Sequence, residues 1–151
     1  MIALALALLF ARDALGTYDG WGAFRDAAPP RCFAIARPIG RHGQAQPFAS
    51  IATWPRDGIR NQLHLRLSRT RAANARVTLS IGERRFELKA GDADAWASDA
   101  RTDAAIVAAI RSGRSMSVET IAANGSPFAD TYALEGAATA IDAALLGCAR
   151  R

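Results

Sequence analysis

The sequence is poor in the residues that most often carry out chemistry. Its 151 residues include two histidines, two cysteines and, among 19 basic residues, a single lysine at Lys89. Two cysteines without paired histidines give too few ligands for a zinc site. No Gly-x-Ser-x-Gly elbow occurs, and neither cysteine adjoins a histidine in the sequence. Because no nucleophile–base motif can be recognised, we predict that the protein is not an enzyme and needs no cofactor or metal.

Aromatic residues are also scarce, at 7% of the chain. The formal net charge is +5, but the arginines are spread along the chain instead of being concentrated on one helix or patch. Nucleic-acid interfaces usually combine a concentrated basic patch with interleaved aromatic residues, so we do not expect sequence-specific nucleic-acid binding. The basic balance favours weak attraction to acidic surfaces, such as anionic lipid or polysaccharide. A compositional bias toward arginine and alanine, with no partner, explains it equally well.

Long hydrophobic runs are absent apart from residues 2–11, which are fewer than the roughly 18 residues of a membrane helix. The length of this run suits the apolar core of a secretory signal peptide. Small residues offer two cleavage sites, after Ala11 and after Gly16. We therefore predict a signal peptide over residues 1–16, cleaved between Ala11 and Gly16, and no transmembrane segment in the mature chain. A buried first strand or helix is the alternative.

The remaining hydrophobic residues alternate with polar ones over residues 62–89. The alternation occupies residues 62–68, 76–81 and 85–89. A period of two places the apolar side chains on one face of an antiparallel sheet and the polar ones on the other, and we predict that these three strands pair. Further strands are predicted over 31–37, 48–54, 115–122 and 128–134, helices over 102–112 (capped by Thr102) and 137–148, and a turn around Trp96.

These elements predict a mainly β fold. Residues 17–151 are expected to form a single antiparallel β-sandwich-like domain with one short helix and a C-terminal helix. The length of the chain suits one domain with a real core better than it suits two.

The two cysteines, Cys32 and Cys148, lie near the two ends of the predicted domain. In an exported protein they are able to oxidise. In the strand over 31–37, Cys32 shares its face with small residues, whereas Phe33 and Ile35 share the other face, which we assign to the core. The alanine-rich helix that ends at Cys148 fits over the Cys32 face, so we predict a Cys32–Cys148 disulfide. Two buried free thiols are the alternative.

Both histidines are expected at exposed positions, His42 in a loop between two glycines and His64 on the polar face of a strand. Four aspartates suggest a calcium site, and the Asp92-x-Asp94 start resembles an EF-hand loop: Asp92, Asp94, Asp99 and Asp103. However, Trp96 occupies the third ligand position and Ala97 the position that needs glycine. We therefore assign the four carboxylates to a turn and to the start of a helix.

The polar face of the predicted sheet is the one surface for which binding can be argued from spacing. Guanidinium groups donate in a fork that suits phosphate and carboxylate groups. The candidate anion-binding face consists of Arg66, Arg76, Arg85 and Lys89, with Glu87 among them. A solvated face with cross-strand charge pairs is the simpler interpretation. The three tryptophans lie beside apolar residues and are assigned to core packing and not to a binding platform: Trp21, Trp54 and Trp96.

Six segments share apolar and aromatic spacing with a known family: Arg31–Ala36, Phe48–Pro55, Arg85–Leu88, Asp94–Trp96, Asp103–Val107 and Tyr132–Leu134. Together with the two cysteines and the alanine-rich helix that follows, they resemble the invasion-associated locus B family of exported proteobacterial proteins. The resemblance implies a periplasmic or envelope-exposed β-sandwich-like domain, linked in some pathogens to host-cell entry. It supplies no catalytic residues to transfer.

We therefore expect a non-enzymatic periplasmic or secreted protein whose partner is another protein or an anionic glycolipid. A small periplasmic hydrolase with a non-obvious site is one alternative, and a structural or chaperone-like module of the periplasm is another. A pocket that joins His64 or His42 to a carboxylate and a serine would favour the hydrolase. A long unpaired strand edge would favour the chaperone-like module, because such an edge can pair with a client strand.

Overall fold

A computed structural model describes residues 12–149, and the apolar run at 2–11 lies outside these residues. The described chain contains two helices, α1 (Ala100–Ser112) and α2 (Ala137–Ala149). Its ten strands are β1 (Arg12–Tyr18), β2 (Trp21–Ala27), β3 (Pro30–Ala36), β4 (Phe48–Trp54), β5 (Ile59–Arg66), β6 (Val77–Ile81), β7 (Arg84–Ala90), β8 (Asp94–Trp96), β9 (Ser115–Ile121) and β10 (Pro127–Ala133).

The ten strands form one antiparallel sheet in the order β1-β2-β3-β4-β5-β8-β7-β6-β9-β10. The sheet curls so that strands near its opposite ends meet. The indole Nε1 of Trp21 on β2 donates to the carbonyl of Ala133 at the end of β10, at 2.9 Å. The backbone N–H of Ile39, after β3, donates to the carbonyl of Thr131 on β10, at 2.7 Å. The two halves of the sheet thereby share one hydrophobic core. The predicted fold class is confirmed, including the C-terminal helix.

The predicted alternation is confirmed, but the predicted strand neighbours are partly wrong. The apolar residues of β5, β6 and β7 are buried in the common core: Leu63, Leu65, Val77, Leu79, Ile81, Phe86 and Leu88. β6 pairs with β7 as expected. However, β8 lies between β5 and β7, where the sequence predicted a turn. The reason is that alternation with a period of two residues determines which face of the sheet a side chain occupies. It does not determine which strands become neighbours.

Both predicted helices are present, and the first begins earlier than expected. The cap of α1 is Asp99 and not Thr102, because the Asp99 carboxylate accepts a hydrogen bond from the backbone N–H of Thr102 at 2.7 Å. This is the usual arrangement of an N-cap aspartate. α1 packs against β5 and β7, and α2 packs against β1–β4.

Helix α2 approaches the sheet closely because its buried face is made of small residues. Gly147 shows how little room is left, since a Cβ atom there would collide with the side chain of Leu15 on β1. The buried residues of α2 are Ala137, Ala140, Ile141, Ala144 and Gly147. β1 therefore packs on α2 through Leu15.

The structure confirms the disulfide between Cys32 and Cys148, whose Cα atoms are 5.8 Å apart, within the usual range for a bridge. α2 covers the Cys32 face of β3, as predicted. The expectation that Phe33 and Ile35 fill the core is wrong. The Cys32 face is itself the core face, because only small side chains there admit the helix. Phe33 is buried on the outer face instead, with the Arg31 guanidinium 4.0 Å from its ring centroid and the Phe24 ring 5.5 Å away.

The two edges of the sheet, β1 and β10, carry features that hinder pairing with another strand. The register of β1 shifts between Ala14 and Gly16, and its first residues, Arg12 and Asp13, are charged and exposed. The loop after β3 occupies a carbonyl of β10 through the hydrogen bond from Ile39. Bulges, charges and covering loops are common protections of edge strands, so this geometry does not favour the chaperone-like alternative.

Candidate functional site

The outer face of the sheet carries a row of side chains that the sequence did not place together. His64 on β5 lies opposite Trp96 on β8, and Trp96 lies opposite Lys89 on β7. Directly opposed residues of neighbouring strands share a face, with Cβ atoms about 5 Å apart. We call the row of His64, Trp96 and Lys89 the outer-face platform.

The two rings of the platform stack on each other. The centroids of His64 and Trp96 are 5.3 Å apart, and their planes differ by 8°. The ring of Phe48 meets His64 edge-on at 5.1 Å. The indole also lies near Gly91, where a Cβ atom would be 3.9 Å from it. The rotamer of Trp96 is therefore held by its neighbours although the residue is exposed.

The assignment of the tryptophans to the core is correct for one of them and wrong for Trp96. Trp21 is fully buried, whereas Trp96 is 37% exposed. In the short strand β8, Ala95 points into the core, so Trp96 must point outward. Trp54 is half-buried, with the Arg31 guanidinium 5.2 Å from its ring centroid.

Asp94 links the platform to the predicted basic face. One carboxylate oxygen accepts a hydrogen bond from Nε2 of His64, and the other accepts one from Nη1 of Arg66, each at 2.8 Å. Asp94 therefore fixes the orientation of the imidazole. The sequence assigned Asp94 to a turn, but it lies on β8 opposite Arg66.

The four candidate anion-binding residues all lie at exposed positions on the outer face, but they do not form one cluster: Arg66, Arg76, Arg85 and Lys89. Arg66 is paired with Asp94, and the Arg76 guanidinium lies 3.8 Å from Glu87. Within residues 12–149, Lys89 and Arg85 have no carboxylate in ion-pair contact. They lie four residues apart on β7, which is about 13 Å along a strand.

The histidines do not form a catalytic group with a serine in the described part of the chain. Within the described residues, the side chain of His42 has one hydrogen-bond partner, the Ile39 carbonyl at 3.2 Å. Ser50 lies opposite His64 in the sheet register, but no hydrogen bond joins the two side chains. Residues 12–149 also contain no cluster of three histidine, cysteine or acidic side chains able to hold a metal ion.

Asp103 is a buried carboxylate at the start of α1. It accepts a hydrogen bond from the backbone N–H of Leu63 on β5 at 2.9 Å. Loss of solvent raises the pKa of Asp103 above its ordinary value, and the hydrogen bond from Leu63 only partly opposes this. The hydrogen bond of the Asp103 carboxylate therefore links α1 to β5. The ionised carboxylate is poorly solvated there, and this disfavours its charged form.

We expect Asp103→Asn to be at least as stable as the parent protein at pH 7, because the amide carbonyl keeps the bond from Leu63 and no charge is buried. Asp103→Leu should lose about 1–3 kcal/mol by leaving that N–H unsatisfied. Because its folded pKa is raised, Asp103 contributes less to stability as pH rises from the ordinary value of about 4 through the folded value. The pKa values of Asp99 and Asp142 are lowered and act in the opposite direction, so the Asp103 effect is the difference between the parent and Asp103→Asn at each pH. Urea unfolding at pH 3 and pH 7 measures both effects. An Asn variant less stable than the parent at pH 7 would contradict this account.

No helix within residues 12–149 combines the length and the apolar character that a membrane-spanning segment requires.

Comparison with known proteins gives one family and one fold. The family model described as "Invasion associated locus B (IalB) protein" matches residues 23–145. The crystal structure of invasion associated protein B from Bartonella henselae superposes with a TM-score of 0.66 at 17% identity, covering 87% of this chain and 95% of that one. No match to a curated protein was found. The structural likeness, at this low identity, bears on the fold alone.

Proposed function

Because the chain belongs to the invasion-associated locus B family, we propose that it is an exported, non-enzymatic envelope protein that binds an anionic partner on the outer face of its sheet. The family and the disulfide support an oxidising compartment outside the cytoplasm, which is the periplasm or the exterior. The Bartonella protein is named as an invasion associated protein. For this chain we propose a location outside the cytoplasm and the binding of an anionic partner.

The observation that carries the proposal is the pair of exposed cations on β7. Lys89 and Arg85 extend from a strand that is paired on both sides, and within residues 12–149 neither makes an ion pair. Arg66 and Arg76 flank them, each with a carboxylate partner. A rigid face on which the cations Arg66, Arg76, Arg85 and Lys89 outnumber the carboxylates Asp94 and Glu87 attracts anionic groups, and the net charge of +5 adds to the attraction.

Three features support a non-enzymatic role. Both cysteines are consumed by the disulfide, so neither is a thiolate nucleophile. His64 gives one ring nitrogen to Asp94, and its ring is flanked by Phe48 and Trp96. A general base needs a reacting group within hydrogen-bond reach, and Ser50 is not hydrogen-bonded to the imidazole.

We also propose that signal cleavage follows Ala11. On β1, the Arg12 guanidinium is 2.7 Å from the Asp26 carboxylate on β2, and Leu15 packs on α2. Cleavage after Gly16 would remove most of β1 and uncover that part of the helix. N-terminal sequencing of exported protein should therefore read Arg12 first. A mature protein beginning at Thr17, or intact Met1 on a cytoplasmic product, would contradict the proposal.

The binding role is tested with vesicles that contain an acidic glycolipid, compared with neutral phosphatidylcholine vesicles. We expect binding to the acidic vesicles only, weakening as salt is added, because exposed charges are screened over about 10 Å at 0.1 M. The double variant Arg85→Gln/Lys89→Gln should lose most of the binding, and Arg66→Gln/Arg76→Gln/Arg85→Gln should also weaken it.

The matched control is Arg41→Gln/Arg56→Gln. It removes the same charge at exposed positions in the loop after β3 and in the turn before β5, and neither residue belongs to β5, β6, β7 or β8. The control should bind as the parent does. Equal losses in the face variant and in this control would show that net charge alone attracts the vesicles, and salt-independent binding would exclude the anionic partner.

A further inference from the structure

We propose that the outer-face platform binds an acidic sugar, with the pyranose ring lying on the exposed indole of Trp96 and the sugar carboxylate paired with Lys89. This inference rests on the proposed function and names the class of ligand at the same face. Asp94 and Arg66, beside the platform, supply the hydrogen bonds that a ring rich in hydroxyl groups requires.

The indole offers an apolar surface that is already in place. Trp96 is 37% exposed, while stacking on His64 holds its rotamer. A side chain ordered before binding loses little conformational freedom when a ligand arrives. Carbohydrate rings present one face of C–H groups, which matches an aromatic surface better than it matches a charged one.

The polar groups beside the indole have hydrogen-bonding capacity to spare. A carboxylate has about four acceptor positions, and Asp94 uses one on each oxygen, for His64 and Arg66. Arg66 has five N–H donors, of which one makes the bond to Asp94, and its side chain is 49% exposed. Sugar hydroxyls, which both donate and accept, can use both residues at once.

The charges at the platform decide between an acidic sugar and a nucleic acid. Arg66 is neutralised by Asp94, so Lys89 is the platform's one cation without an ion pair in the described chain. A single carboxylate matches one free ammonium. Single-stranded nucleic acids also stack on aromatic side chains, but their phosphates require a groove lined by several cations. At this platform, phosphates would lie close to the Asp94 carboxylate instead.

The experiment compares a galacturonic acid trimer with a neutral galactose trimer by titration calorimetry and saturation-transfer NMR. The parent protein should bind the acidic trimer at least tenfold more tightly than the neutral one. Trp96→Ala should weaken binding of the acidic trimer at least tenfold, and Trp96→Phe should restore part of it because stacking is retained. Lys89→Gln should reduce the preference for the acidic trimer to less than threefold.

Arg56→Gln is the matched control, since it removes a cation from an exposed position in the turn before β5, outside the outer face, and it should change affinity less than twofold. Unchanged binding in Trp96→Ala would overturn the platform even if vesicle binding still depended on charge, so the two proposals fail separately. No saturation transfer from either trimer to the parent protein, or tighter Trp96-dependent binding of a thymidine oligonucleotide, would also overturn it. Trimer binding without vesicle binding would leave the sugar site standing and exclude the glycolipid surface.

Discussion

Cys32→Ser and Cys148→Ser are each expected to lower the free energy of unfolding by about 4–5 kcal/mol under oxidising conditions. The bond joins residues 116 positions apart, so it restricts nearly the whole described chain in the unfolded state. The double variant should lose little more than either single variant, because all three remove the same link. Urea unfolding at a fixed pH without reductant measures the three values.

Reduction gives an independent control for this prediction. Dithiothreitol should lower the stability of the parent protein to that of the double variant and leave the variant unchanged. Leu146→Ala, at a position on α2 that is 60% exposed, should lower the free energy of unfolding only slightly. It shows whether any substitution in the helix destabilises the protein. Losses that add up in the double variant, or a parent insensitive to reductant, would contradict the structural role of the bond.

Gly136→Ala is expected to destabilise the fold by about 2–4 kcal/mol, through two separate effects. Gly136 precedes α2 and has a φ of +84°, a conformation that costs little only for glycine. A Cβ atom at this position would also collide with the carbonyl group of Tyr18, at the end of β1. Backbone cannot move aside as a flexible side chain can, so either β1 or the start of α2 must shift.

Gly125→Ala separates the two effects, because Gly125 has a φ of +87° but open space around its Cα atom. This variant should cost about 1 kcal/mol, which is the conformational term alone. Thermal or urea unfolding of both variants gives the difference that is due to the contact with Tyr18. Equal losses at the two glycines would show that the approach of β1 to Gly136 contributes nothing.

The sequence predicted which residues face the core more reliably than which strands are neighbours. Alternation places Leu63, Leu65 and Leu79 on the buried side because side-chain direction is a local property of a strand. The position of β8 is not local, since it depends on β5 and β7 accepting a strand of three residues between them. β1 was not recognised as a strand because residues 12–16 were assigned to the predicted signal peptide. β2 was not recognised because Gly22 interrupts a short segment whose inner face includes the small residue Ala23.

The candidate site shows the same division. The basic residues on the outer face follow from alternation alone, and the structure places them there. The stack of His64 on Trp96 could not be predicted, because it arises from a cross-strand register between segments about 30 positions apart. Asp94-Ala-Trp96 does alternate, but a short acidic segment between Gly91 and Ser98 is also typical of a turn. Ala95 and Ala97 made Trp96 look like a core residue.

The long sequence separation of the two cysteines also determines the order of events during biosynthesis. Cys148 cannot reach Cys32 until every residue between them has left the ribosome and, for an exported chain, the membrane channel. Until then α2 is missing, and the inner faces of β1–β4 have no cover. The emerging N-terminal half must therefore wait with apolar surface exposed, a state prone to aggregation. Covering of these inner faces and closure of the Cys32–Cys148 bond are therefore completed only after α2 has arrived.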